Sequence, residues 1–151
     1  MQRYGPIYEA SPWVAEAVLP RAASGELDPP GALAAAMRAV VDAASYERKL
    51  ALIRSHPQLA SRVSMAASSL QEQSGAGLDQ CSDVEFEAFQ RLNSEYLARF
   101  GFPFIIAVRG LTRGEILRAF GDRLANAPEA EFQTALVQIH RIAALRLDAL
   151  A

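Results

Sequence analysis

Apolar positions along this chain recur at helical spacing almost throughout. Phe86, Phe89, Leu92, Tyr96 and Phe100 fall three or four residues apart, a stripe that ends at Gly101. Leu136, Ile139, Ala143, Leu147 and Leu150 repeat the pattern in a last helix that Pro128 opens. Polar punctuation sets the boundaries. Ser11 before Pro12 predicts an N-cap followed by proline in the first helical position, for a short helix stopping near Pro20. SGELDPPG is dense in turn residues, and ALAAAMRAVVDAA after it predicts a largely buried helix. Ser45 caps a helix whose Tyr46, Leu50 and Ile53 share a face, and His56-Pro57 ends it, because proline disfavours helical geometry in the residue before it. Ser69/Glu72, Ser82/Glu85 and Thr112/Glu115 each have the spacing of a capping box, the third for a helix running to about Leu124. Gly75 and Gly77 follow the first box and offer a helix stop or a close approach of other backbone.

FPFIIAV breaks the helical period. It is short, apolar and contains Pro103, which predicts extended backbone buried among helices. No second strand and no fixed repeat accompany it. The expectation is an all-α fold: one domain over 1–151, a single-domain helical bundle with a short buried extended segment near 102–108.

Composition narrows the class. The 151 residues are 51% hydrophobic and 21% charged, which suits a globule with a substantial core. A net charge of −2 argues against general capture of nucleic acid. No apolar run reaches the roughly 18 residues of a membrane span. MQRYGPIYEASPWV does not read as a secretory leader, and the ending DALA is not a peroxisomal signal. With one cysteine, Cys81, these features predict a cytoplasmic protein. Two histidines and one cysteine, widely spaced, predict no metal site.

Several places could carry chemistry. His56 sits at a helix end, where its imidazole can either aim at a cavity or finish the helix; titration near neutrality suits it to proton transfer. Ser69-Leu70-Gln71-Glu72-Gln73 is either a helix cap or a carboxylate and amides gathered at a helix N-terminus. Extended backbone at Phe104, Ile105, Ile106, Ala107 and Val108 leaves N–H and C=O groups that need partners, which protein, water or a flat amide-rich ligand can supply. His140 and Arg146 flank the apolar face of the last helix. The first suits a hydrogen-bonded structural role; the second either snorkels outward or holds an anion.

His56-Pro57-x-Leu59-Ala60, Ser69-x-x-Glu72-Gln73 with Ala76-Gly77-Leu78, and Arg99-Phe100-Gly101-Phe102-Pro103-Phe104 occur in that order. With IYEASPWVAE and IHRIAALRL at the two ends, the chain resembles the 2-oxo-4-hydroxy-4-carboxy-5-ureidoimidazoline (OHCU) decarboxylases of urate breakdown over nearly its whole length. The resemblance implies an all-helical homodimer with no metal and no organic cofactor, a carboxy-lyase that converts OHCU to S-allantoin and carbon dioxide. It makes His56 the catalytic proton donor, Glu72 the second catalytic group, and Pro57 part of the pocket wall. It also implies that Ser69 through Gln73 bind substrate, that the Phe104–Val108 backbone holds the ring, and that Arg146 lies near the substrate carboxylate.

In that chemistry the ring itself delocalises the electron pair left by carbon dioxide, so the protein's tasks are orientation, charge placement and delivery of one proton to one face. Glu72 would accept a hydrogen bond from the substrate hydroxyl or repel the departing carboxylate. A carboxylate beside His56 would favour its charged form and burial would oppose it; if the carboxylate dominates, His56 is charged at rest. The alternatives are a non-catalytic helical interaction module and a decarboxylase of a related ureido acid.

Overall fold

The structure, a computed structural model, describes residues 7–8, 11–25, 31–60, 72–74, 77–78 and 81–150. Its helices are α1 (Trp13–Ala23), α2 (Ala32–Asp42), α3 (Tyr46–Ser55), α4 (Asp83–Phe100), α5 (Arg113–Leu124) and α6 (Pro128–Leu150), with one helical turn at 72–74. The described residues contain no strand, and the fold is an all-α, single-domain bundle. The long α6 packs against α2, α3 and α4, while α1 pairs with α2 and α5 with α4.

The caps explain most boundaries. Ser45, Ser82 and Thr112 each accept from the backbone N–H three residues on, and Glu85 and Glu115 bond back to complete two capping boxes. Gly101 ends α4 in a left-handed conformation (φ 77°), and Arg54 Nε donates to its carbonyl at 3.1 Å. Two expectations give way. α1 begins after Pro12 and runs through Pro20 to Ala23. A proline this near the end removes one hydrogen bond, to the carbonyl of exposed Glu16, and the last turn closes through Ser24 N–H on the Pro20 carbonyl. α2 is not largely buried: Ala36, Met37 and Val41 form one inward face, because alanine is small enough to serve on either side. On α3, likewise, Ile53 is buried but Tyr46 is 60% exposed and stacks on Phe132.

Residues 102–108 are irregular and buried except for half-buried Ile106. The Phe104 ring stacks on Phe120 at 3.9 Å, and Tyr96 meets Phe102, Phe104 and Phe120 edge-on. This aromatic cluster fixes the extended segment against α4 and α5.

Candidate functional site

His56 is the C-cap of α3, with extended backbone (φ −74°, ψ 140°) as the following proline demands. Its N–H still bonds the Ile53 carbonyl, but the side chain leaves the helix and is 7% exposed. Side-chain amides grip the chain that follows. Asn93 Nδ2 donates to the Leu59 carbonyl at 3.0 Å, and Ala60 N–H donates to Gln73 Oε1 at 3.0 Å. Ala60 stands at φ 55°, a left-handed geometry that alanine adopts at a cost of about 1 kcal/mol or more. Gln73, expected among the substrate contacts, therefore spends its amide oxygen on the loop that carries His56. Pro57 is half-buried beside it.

Glu72 and Arg146 meet as a two-point pair, with Arg146 Nε to Oε2 at 3.0 Å and Nη2 to Oε1 at 2.8 Å. Arg146 Nη1 also donates to the Ile7 carbonyl at 3.2 Å, and the arginine is buried. It does not snorkel. Both oxygens of Glu72 thus lie on the guanidinium that the family resemblance puts near the substrate carboxylate. Ser69, Leu70 and Gln71 lie outside the described residues.

Burial decides the state of His56. Burial pushes its pKa down to about 3, and the positive charge of Arg146 adds to the effect. The condition under which His56 would be charged at rest is not met, because burial dominates and the neighbouring charge that acts on it is positive. The resting imidazole is neutral, and its Nε2 is buried with no hydrogen-bond partner. A buried nitrogen of that kind is costly unless a ligand completes it.

The extended segment is partly spoken for. Ala107 N–H donates to Gln138 Oε1 at 2.9 Å, the Ile105 carbonyl accepts from Arg123 Nη1 at 2.5 Å, and the Val108 carbonyl accepts from Leu111 N–H. The expectation that all five residues offer their backbone is narrowed, since the Ala107 N–H and the Ile105 and Val108 carbonyls already have partners within the chain.

A family model for OHCU decarboxylase matches residues 1–148. A protein of Halalkalicoccus jeotgali named 2-oxo-4-hydroxy-4-carboxy-5-ureidoimidazoline decarboxylase is 42% identical over 146 residues, which is 97% of this chain and 81% of that protein. The chain belongs to the OHCU decarboxylase family. Among solved structures, an (S)-allantoin synthase superposes with TM-score 0.78 at 39% identity, over 98% of this chain and 48% of the other, so the present chain spans about half of that one. An OHCU decarboxylase crystallised in the presence of (S)-allantoin superposes with TM-score 0.67 at 27% identity, over 78% of each chain.

This OHCU decarboxylase homologue also has supporting residues that periodicity did not reveal. Arg113 Nη1 donates to the Gly77 carbonyl at 2.9 Å while its Nε pairs with Glu85 at 3.0 Å, tying Gly77 to α4 and α5. Gly77 has φ 81°, and a Cβ there would come within 3.1 Å of Arg113 Nη1. The close approach at this glycine is thus by a side chain, not by backbone. On α6, His140 Nδ1 lies 2.7 Å from the Tyr8 hydroxyl and Nε2 lies 3.1 Å from Asp42 Oδ1. Burial lowers the His140 pKa against the pull of Asp42, so the neutral ring accepts from Tyr8 and donates to Asp42. Its structural role agrees with the sequence reading. The signal for these contacts was polar residues inside apolar stripes, which names the residue and not its partner.

Proposed function

We propose that the protein decarboxylates OHCU to (S)-allantoin and carbon dioxide in urate breakdown, with His56 and Glu72 as its catalytic groups. The observation that carries this reading is the buried, unpartnered His56 Nε2 under the influence of the Arg146–Glu72 pair. A helical interaction module has no use for an orphaned imidazole nitrogen, and membership of the family favours the lyase.

The substrate's name defines the chemistry. C4 bears the hydroxyl and the carboxylate, and C5 is joined to a ring nitrogen by a double bond. Breaking the bond to carbon dioxide sends its electron pair into a C4–C5 double bond and onto that nitrogen, so the ring serves as its own electron sink without a metal or organic cofactor. The C4 hydroxyl must then lose a proton, and C5 must gain one on a single face. Neutral His56 can take the hydroxyl proton at Nε2 and return it to C5, which makes it a base before it is the donor. The ring nitrogen takes its proton from water. Glu72, fixed on Arg146, directs negative charge at the substrate carboxylate and favours its departure into a neutral product. Pro57 walls the site, the Ser69–Gln73 turn binds substrate, and the Phe104–Val108 backbone receives the ring and ureido groups. Homodimeric assembly and cytoplasmic residence complete the reading, checked by light scattering and fractionation.

The test is to give the purified protein freshly generated OHCU and follow optical activity. Fast appearance of (S)-allantoin is the expected result. Racemic allantoin at the uncatalysed rate would sink the proposal.

A further inference from the structure

Glu131 on α6 is the one carboxylate fully buried among the described residues. Its Oε1 accepts from the Tyr96 hydroxyl at 2.6 Å and from Arg123 Nε at 2.8 Å, and its Oε2 accepts from Asn126 Nδ2 at 3.0 Å. Arg123 then reaches past this cluster. Its Nη1 holds the Ile105 carbonyl, and its guanidinium lies 4.4 Å over the Phe104 ring. Side chains of α4, α5 and α6 thereby converge on two residues of the extended segment.

Stability alone does not account for this arrangement. Glu131 is fully buried and Arg123 largely so; burying an ion costs several kcal/mol, and well-packed apolar replacements of buried pairs are often as stable or more so. What an ion pair supplies and an apolar contact does not is a fixed direction. Arginine suits that task because its planar fork binds a carboxylate and a carbonyl at once. The Ile105 carbonyl is caught by Arg123 from α5, and the Ala107 N–H by Gln138 from α6. Two bonds on one side of an extended chain set its rotation about its own axis.

We propose that Arg123, oriented by Glu131, is a positioning residue that fixes the rotation of 104–108 so that the opposite backbone edge meets the cyclic ureide. The assignment rests on the proposed function only for the identity of the ligand. Arg123→Lys keeps the charge beside Glu131 and cannot span both the carboxylate and the carbonyl. The expected result is about a tenfold rise in KM and a matching loss of (S)-allantoin affinity per folded molecule, with the pH profile of the rate unchanged. A purely structural arginine would lower Tm and leave both values as in wild type.

Tyr96→Phe removes one bond to Glu131 without changing the packed ring, so it serves if the lysine variant does not fold; a smaller shift in the same direction is expected. Exchange of the Ala107 amide with deuterium gives a readout independent of turnover, and it should accelerate about tenfold in either variant while α4 stays protected. Inactive wild type with accelerated exchange in the variants overturns the proposed function and upholds the positioning role. Unchanged exchange, or wild-type KM and allantoin affinity where the wild type is active, overturns the positioning role.

Discussion

His56 is uncharged because it is buried, and the positive charge of Arg146 adds to that effect. This sets the pH dependence expected of the free enzyme. A neutral base works above its pKa and is lost below it, so kcat/KM should stay level from pH 7 down to about 5. A falling limb centred near 6.5, the ordinary histidine value, would contradict the assignment. His56→Asn should fold and slow the appearance of optical activity by about 10²–10⁴-fold; near-wild-type rates would make His56 a helix stop. Glu72→Gln separates capping from catalysis. As a cap alone, Glu72 would lose well under about 1 kcal/mol, whereas releasing Arg146 from its partner should cost about 1–3 kcal/mol and lower turnover at least 100-fold. Urea midpoints and initial rates, measured together, decide between them. His56 stood out before a proline and Arg146 beside an apolar stripe, whereas Glu72 read as the return residue of a capping box, and only the family resemblance gave the three their roles. The pairing of Glu72 with Arg146 was not legible, since 74 residues separate them and nothing local links them.

Among elements, local signals succeed where one backbone group is answered within three or four residues. Ser45, Ser82 and Thr112 were readable as caps because the partner lies three residues on. Pro20 misleads because a lost hydrogen bond is tolerable beside solvent, and alanine-rich α2 misleads because alanine does not mark its buried side. Glu85 acts at two levels, as the return bond of the α4 cap and as the partner of Arg113, which holds Gly77. Ser82→Ala should therefore cost about 1 kcal/mol by chemical denaturation and leave activity per folded molecule intact. Glu85→Ala should reduce activity as well, because it frees Arg113, which holds Gly77, five residues after Glu72 in sequence. Equal activity in the two variants would show that Arg113 does not steady the site.

The whole molecule buries both its histidines, and burial lowers the pKa of each. Unfolding restores ordinary values, so the unfolded chain binds more protons in acid. Stability is then fully present above about pH 6.5 and is lost as pH falls, toward about 3 for His56, at up to about 1.4 kcal/mol per pH unit for each ring. Urea midpoints at pH 7.5, 6 and 5 should fall accordingly, and more shallowly in His56→Asn; a midpoint flat from 7.5 to 5 would refute the neutral rings. The buried core and all-α class were foreseeable from periodicity, because a helical stripe predicts burial without knowledge of its partner. Ile7 and Tyr8 show what periodicity omits. They lie across α6, one carbonyl on Arg146 and one hydroxyl on His140. Anyone trimming the gene or fusing a handle to its front is thus working on contacts that hold Arg146 and His140. A version beginning at Ser11 would retain the sequence of α1 through α6 and purify as a helical protein, yet its guanidinium would lack a fastening and its turnover should drop.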